Sequence, residues 1–229
     1  MFDSSDATKS VRQLFAGKAN ESIPASAISR WANNNSMSYV GPFVCRHYML
    51  GGQLGGKPWT IERRSGSRAF IRGDEINGRA ALDLLTGPVV IVMNRSLKES
   101  LEKQAYEIYT DPVQTLADPS LSEETRCVAL YPECPKFNAP IDFRQTFSVP
   151  AGDTRHPKQW VSNELIELVM TCQAERLDAP FVLMLLRWKV YLQMEFDVIC
   201  DELSALKQSC DILQLARSAA LQHFVRANV

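Results

Sequence analysis

The run Val89-Val90-Ile91-Val92-Met93 carries no polar side chain at either parity, and Gly87-Pro88 stands directly before it. A continuous apolar run of mostly β-branched residues reads as a strand covered on both faces. The chain must therefore build a sheet with a packed layer on each side. Ser96-Leu97-Lys98-Glu99 has the form of a capping box, and Leu97, Leu101 and Ala105 follow at helical spacing, so strand, short turn and helix is the reading of 88–109. The rival reading returns this segment as a second strand paired with Val89–Met93.

Upstream, Val11, Leu14 and Phe15 predict a short helix over Thr8–Ala16, and a second helix spans Ser22–Trp31. Asn33-Asn34-Asn35 marks a loop, because asparagine tolerates left-handed backbone; the same side chains are able to read adenine edges in a duplex. Tyr39–Leu50 is β-prone and runs into Gly51-Gly52-Gln53-Leu54-Gly55-Gly56. No Gly-Lys-Ser/Thr ends that loop, so it is a hairpin connection and not a phosphate-binding P-loop.

Residues 57–79, KPWTIERRSGSRAFIRGDEINGR, hold an arginine cluster. Trp59-Thr60-Ile61 and Ala69-Phe70-Ile71 flank Ser65-Gly66-Ser67, which predicts a hairpin. A short helix follows to Leu85, capped by Asp74 or Asn77. Lys57, Arg63, Arg64, Arg68, Arg72 and Arg79 then fall in one supersecondary unit with Trp59 and Phe70, a combination suited to phosphates and stacked bases. The charge balance agrees. Residues 1–100 hold 13 Lys or Arg against 8 Asp or Glu, a net of +5, whereas the remainder nets -6. The competing reading has these arginines paired with acids of the C-terminal half.

Prolines recur from Asp111-Pro112 to Pro157 and forbid long helices there, leaving edge strands at Arg126–Leu130 and Phe143–Val149. Beyond Lys158, helical segments are predicted at Trp160–Arg176, Pro180 to about Leu206, and about Asp211–Arg226. In the second of these, Phe181, Met184, Leu185, Trp188, Leu192, Phe196, Ile199 and Leu203 recur at three- and four-residue steps. The expected fold is α+β: a mixed, β-rich domain over 1–157 carrying the basic hairpin, followed by a C-terminal helical bundle over 158–229.

Little in the chain supports catalysis or a cofactor. The six cysteines make no C-x-x-C pair, which argues against a zinc ribbon, and His47, His156 and His223 are not spaced for a metal or a relay. Cys45 and His47 share a strand face, but no third group orients them. Asp74-Glu75 and Glu123-Glu124 are adjacent pairs that suit helix N-termini better than acid–base work. No catalytic residue, metal or cofactor is assigned. The acidic start MFDSSDATKS is unlike a secretory signal, and Val89–Met93 and Phe181–Leu186 are too short to cross a bilayer. A cytoplasmic protein with reduced thiols and no membrane partner is expected.

The basic region, Leu82-Asp83-Leu84-Leu85-Thr86-Gly87-Pro88, the strand Val89–Met93 and Asn94-Arg95-Ser96-Leu97-Lys98 together resemble the small large-subunit protein of type IV CRISPR effector complexes. That resemblance implies a non-enzymatic subunit contacting guide RNA and the motif-adjacent target double-stranded DNA, alongside other subunits of the effector complex, while base pairing reads the sequence. It would place the contacts on Arg63, Arg64, Arg68 and Arg72, with Asn33, Asn34 and Asn35 at base edges. The family's two C-x-x-C pairs have no counterpart, since only Cys45 stands in that region. The alternative is an adaptor or immunity-type module whose arginine hairpin binds an acidic partner.

Overall fold

The computed structural model describes residues 27–41, 47–82, 87–108, 121–135, 137–174, 176–186, 188–196 and 202–225. The helix expected over Thr8–Ala16 and the Cys45 thiol lie outside them. In chain order the elements are α1 (Ala27–Asn34), β1 (Ser38–Val40), β2 (Tyr48–Leu54), β3 (Lys57–Ser65), β4 (Asp74–Ala81), β5 (Val89–Asn94), α2 (Arg95–Ile108) and α3 (Glu123–Leu130). There follow α4 (Ile141–Thr146), β6 (Phe147–Ser148), α5 (His156–Trp160), α6 (Asn163–Gln173), β7 (Phe181–Leu186), β8 (Lys189–Phe196) and α7 (Glu202–Ala220), the last running into a π-helical turn at Leu221–Val225.

The strands make one eight-stranded sheet in the order β1-β2-β3-β4-β8-β7-β5-β6, with every neighbouring pair antiparallel. Val89–Met93 is the two-sided strand that its composition requires. Val90 and Val92 join one core cluster and Ile91 and Met93 the other, and α2 follows at once at Arg95, so the strand-then-helix order holds but without the expected turn, and Ser96 lies inside the helix and not at its cap. In β7, Phe181, Leu183 and Leu185 face the first cluster while Val182, Met184 and Leu186 face the second.

The larger layer is built from α1, α5, α6 and α7. Leu206, Ile212, Leu213 and Ala216 of α7 press on β4 and β8. At Gly78 of β4 a Cβ would stand 3.1 Å from the Leu192 Cβ and 3.3 Å from Leu213 Cδ2, so the missing side chain lets the helix seat closely. Trp160, fully buried, donates its indole N–H to the Ala216 carbonyl at 2.7 Å and ties α5 to α7. On the opposite face Leu97 and Leu101 of α2 and Cys127 and Val128 of α3 cover only the β5–β7 half of the sheet.

The mixed α+β class holds, but several segments differ from expectation, and the edge strand expected over Phe143–Val149 is a strand only at Phe147–Ser148, its start lying in α4. The helix predicted from Pro180 to about Leu206 is instead the β7–β8 hairpin over residues 181–196, which pairs with β4 on one side and β5 on the other. A run apolar at nearly every position satisfies a helical period as readily as a strand, and burial on both faces decides for the strand. Strands from either side of the expected 157/158 boundary share the sheet, β7 and β8 lying between β4 and β5. Residues 74–81 form β4, not a capped helix, and 69–71 lie in a loop, so the hairpin's second arm is Asp74–Ala81.

Arg126–Leu130 belongs to α3 because Ser122 caps it, accepting from the Thr125 N–H at 3.1 Å, and Glu123 and Glu124 occupy its first turn as their sequence suggested. Gly55 and Gly56, both at positive φ, make the two-residue turn between β2 and β3. Among the described residues no helix is long and apolar enough to cross a membrane.

Filling the close approach at Gly78 should be costly. Gly78→Val is expected to lower unfolding free energy by about 1–3 kcal/mol through overpacking against Leu192 and Leu213, read as a drop in urea midpoint at unchanged slope.

Candidate functional site

The arginines of residues 63–79 do not project as one basic surface. Arg63 and Arg64 are successive residues of β3 and so point to opposite faces. Arg63 is 3% exposed on the α7 side. Its Nε and Nη2 donate to Asp74 Oδ2 at 3.0 and 2.8 Å, Nη1 donates to Glu202 in the first turn of α7, and the guanidinium lies 4.3 Å from the centroid of the Phe196 ring. Burial works against the Arg63 charge, but the bonds to Asp74 and Glu202 outweigh it and hold the pKa above its ordinary value. Tyr48 sits beside this pair, its phenol pushed up by burial and by Glu202. His47 Nε2 lies 3.3 Å from Ser65 Oγ and 3.8 Å from Asp74 Oδ1, at the rim of the same cluster.

On the other face, acids draw the loop 66–73 down onto the sheet. Glu75, fully buried, accepts from Arg64 Nε at 2.6 Å, from the Ser67 N–H at 3.1 Å and from Ser67 Oγ at 2.9 Å. Glu124, 1% exposed at the start of α3, accepts Arg68 in a two-pronged contact, with Nε to Oε2 at 3.0 Å and Nη2 to Oε1 at 3.2 Å. Glu195 of β8 accepts the Arg72 backbone N–H at 2.8 Å and Arg176 Nη2 at 2.9 Å. The loop closes on itself through Gly66 N–H to the Gly73 carbonyl, 2.7 Å, with Gly73 at φ +93°.

The remaining sequence-selected residues are dispersed. Trp59 is 4% exposed, its indole laid over Gly52 of β2, where a Cβ would come within 2.8 Å of the ring nitrogen; it is core, with little face left for a base. Lys57 is half-buried at the start of β3. Arg79 is exposed and its Nε donates to Asn77 Oδ1 at 3.2 Å. Asn33 and Asn34 end α1, and Asn35 donates its amide to the Trp31 carbonyl at 2.8 Å, which ties off the helix at the β1 edge of the sheet. The structure thus gathers Arg64, Arg68 and Arg72 around one loop and leaves Asn33–Asn35 on another element.

Clamping the loop leaves a cleft of about 540 Å³ beside it. Phe70 and Arg72 supply the loop wall, Leu177, Ala179 and Pro180 the facing wall, and Glu195 and Arg176 the base. Leu177 is 46% exposed, and Phe70 and Pro180 are half-buried. Both Glu195 oxygens are engaged, whereas the Arg72 guanidinium makes no ion pair among the described residues. Arg176, Leu177 and Glu195 were invisible as site residues in the sequence, since their partners lie more than a hundred positions upstream or in a segment read as helix.

A second, smaller cleft of about 340 Å³ lies by β6, where Arg95 grips Glu133 through Nη1 and Nη2 at 3.1 and 2.8 Å above Phe143 and Phe147. Among the described residues no group of acids, histidines and cysteines is placed to hold a metal. Cys127, Cys134, Cys172 and Cys210 form no disulfide, and burial, with Asp211 nearby, pushes the Cys210 thiol up to about 12.

No protein-family model matches the chain, and no curated protein matches it. Among solved structures, the crystal structure of the mycobacterial trehalose monomycolate transport factor A, TtfA, is similar with a TM-score of 0.45 and 8% identity, covering 85% of this chain and 92% of that chain.

Two outcomes follow from these ion pairs. Arg63→Ala removes the buried guanidinium and leaves the partly exposed Asp74 and Glu202 carboxylates to water, and is expected to cost about 1–3 kcal/mol in chemical denaturation, the scale of lost hydrogen bonds to charged groups. Burial alone would raise the Glu133 pKa, but Arg95 overrides it and holds the group below the ordinary carboxylate value. Its stabilising contribution is therefore present above the unfolded-state pKa and lost as pH falls through the folded one. The stability advantage of wild type over Glu133→Gln, read by urea denaturation, should shrink as pH is lowered through and below the ordinary carboxylate range.

Proposed function

We propose that the chain is a non-enzymatic protein-interaction module, and that the clamped loop with its adjoining cleft is the surface that meets a partner. The observation carrying this reading is the division of labour among the arginines. Arg63, Arg64 and Arg68 are each neutralised by a carboxylate of the same chain, and only then does Arg72 stand at the cleft edge with its guanidinium unpaired among the described residues. Arginines bound to internal acids fix a backbone; they do not form a track for a polyanion. A pre-formed loop beside exposed Leu177 and half-buried Phe70 and Pro180 offers the apolar centre with a charged edge that protein interfaces favour.

Contact with guide RNA and target duplex would draw on the same cluster. Six phosphate contacts would make binding fall about a thousandfold between 50 and 200 mM salt. With Trp59 in the core and three arginines paired, much less is available for that role.

The test compares wild type with the triple variant Phe70→Ala, Arg72→Glu, Leu177→Asp in the source cells, after circular dichroism shows both folded. Crosslinking should recover a protein partner with wild type and lose it with the variant. Tight oligonucleotide binding with the steep salt dependence above, abolished by the same variant, would overturn the reading.

A further inference from the structure

We infer that the cleft beside the arginine loop takes an extended segment of a partner protein in which an Asp or Glu adjoins a branched aliphatic side chain. This rests on the protein-interaction reading and specifies the partner's chemistry. The charges around the cleft set the polarity. Glu195 has one oxygen on the Arg72 backbone N–H and the other on Arg176, so its charge is already answered. Asp178 stands on the exposed rim of the wall formed by residues 176–180, and Arg72 on the loop wall. A ligand carboxylate is therefore favoured on the loop side, where the Arg72 guanidinium is placed to donate two parallel N–H bonds to it.

The apolar half fixes what adjoins that carboxylate. Leu177, Phe70 and Pro180 present side-chain surface into the same space, which at about 540 Å³ suits one or two side chains and not a folded domain. An aliphatic side chain next to the acid fills it, and the pair of requirements separates this ligand from free phosphate or a nucleic-acid backbone, which need only the charge. The backbone is already organised: Arg72 is anchored by its own N–H to Glu195, and the loop is held by Glu75 and Glu124, so binding need not order it.

The experiment titrates the full chain, with its amides and arginine Nε–H groups observed by nuclear magnetic resonance, with four capped hexapeptides at up to about 1 mM, the range of weak contacts. Their central pairs are Glu-Leu, Gln-Leu, Glu-Ser and Gln-Ser; inorganic phosphate is a fifth probe. The Glu-Leu peptide should shift resonances of Phe70, Arg72 and Leu177, and Gln-Leu and Glu-Ser should each bind about tenfold more weakly. Arg72→Gln should weaken Glu-Leu by the same factor while leaving Gln-Leu unchanged, the coupling expected of a direct contact. Arg79→Gln, remote from the cleft lining, should change nothing.

Equal binding of all acidic probes, phosphate included, would overturn the inference in favour of a plain anion site. Failure of every peptide would overturn it too, while a partner still captured through the cleft would leave the broader reading standing. Loss of both would remove the two together.

Discussion

Everything in this fold follows from two neighbouring strands that have no polar side. β5 and β7 bury both faces, so neither face can be surrendered to water, and the chain must supply helices to each. It does so unevenly. α1, α5, α6 and α7 cover one face, while α2 and α3 cover only the β5–β7 half of the other. Where the second layer stops, at β4 and β8, the strands turn polar on that side, with Glu75 and Asn77 on β4 and Gln193 and Glu195 on β8. The arginine loop fills that step.

The loop's order is thus an electrostatic consequence of a packing boundary. A carboxylate as buried as Glu75 or Glu124 is costly to ionise without a partner, and each finds a guanidinium and, for Glu75, a hydroxyl and an N–H as well. The same logic runs on the other face, where Arg63 joins β3, β4 and the first turn of α7. Positive charge that looks like a surface cluster in one dimension becomes, in three, a set of rivets between elements distant in sequence.

This explains what was and was not legible beforehand. Val89–Met93 declares its strand, Gly55-Gly56 a turn and Glu123-Glu124 a helix N-terminus, since each is a local matter of propensity, charge or φ, but the prolines around 110–157 make Arg126–Leu130 read as an edge strand, and the Ser122 cap that decides for helix goes unnoticed. The β7–β8 hairpin reads as a helix in one dimension because Phe181–Leu186 is apolar at every position, rich in Leu and Met that also favour helix, and only its pairing with β4 and β5 decides its state. The site was less legible still. Arg68 meets Glu124, Arg63 meets Glu202, and the Arg72 N–H meets Glu195, contacts set by the sheet order and by nothing near them in the sequence.

That sheet order also governs how the molecule must come together during synthesis. β4 and β5 follow each other along the chain, yet two strands from residues 181–196 stand between them. Until those residues leave the ribosome, the meander β1–β4 and the β5 segment cannot share a sheet, and each presents an open apolar edge. The last third of the chain is the keystone of an arch whose two sides wait for it, and the nascent protein is most exposed to mispairing in the interval before it arrives.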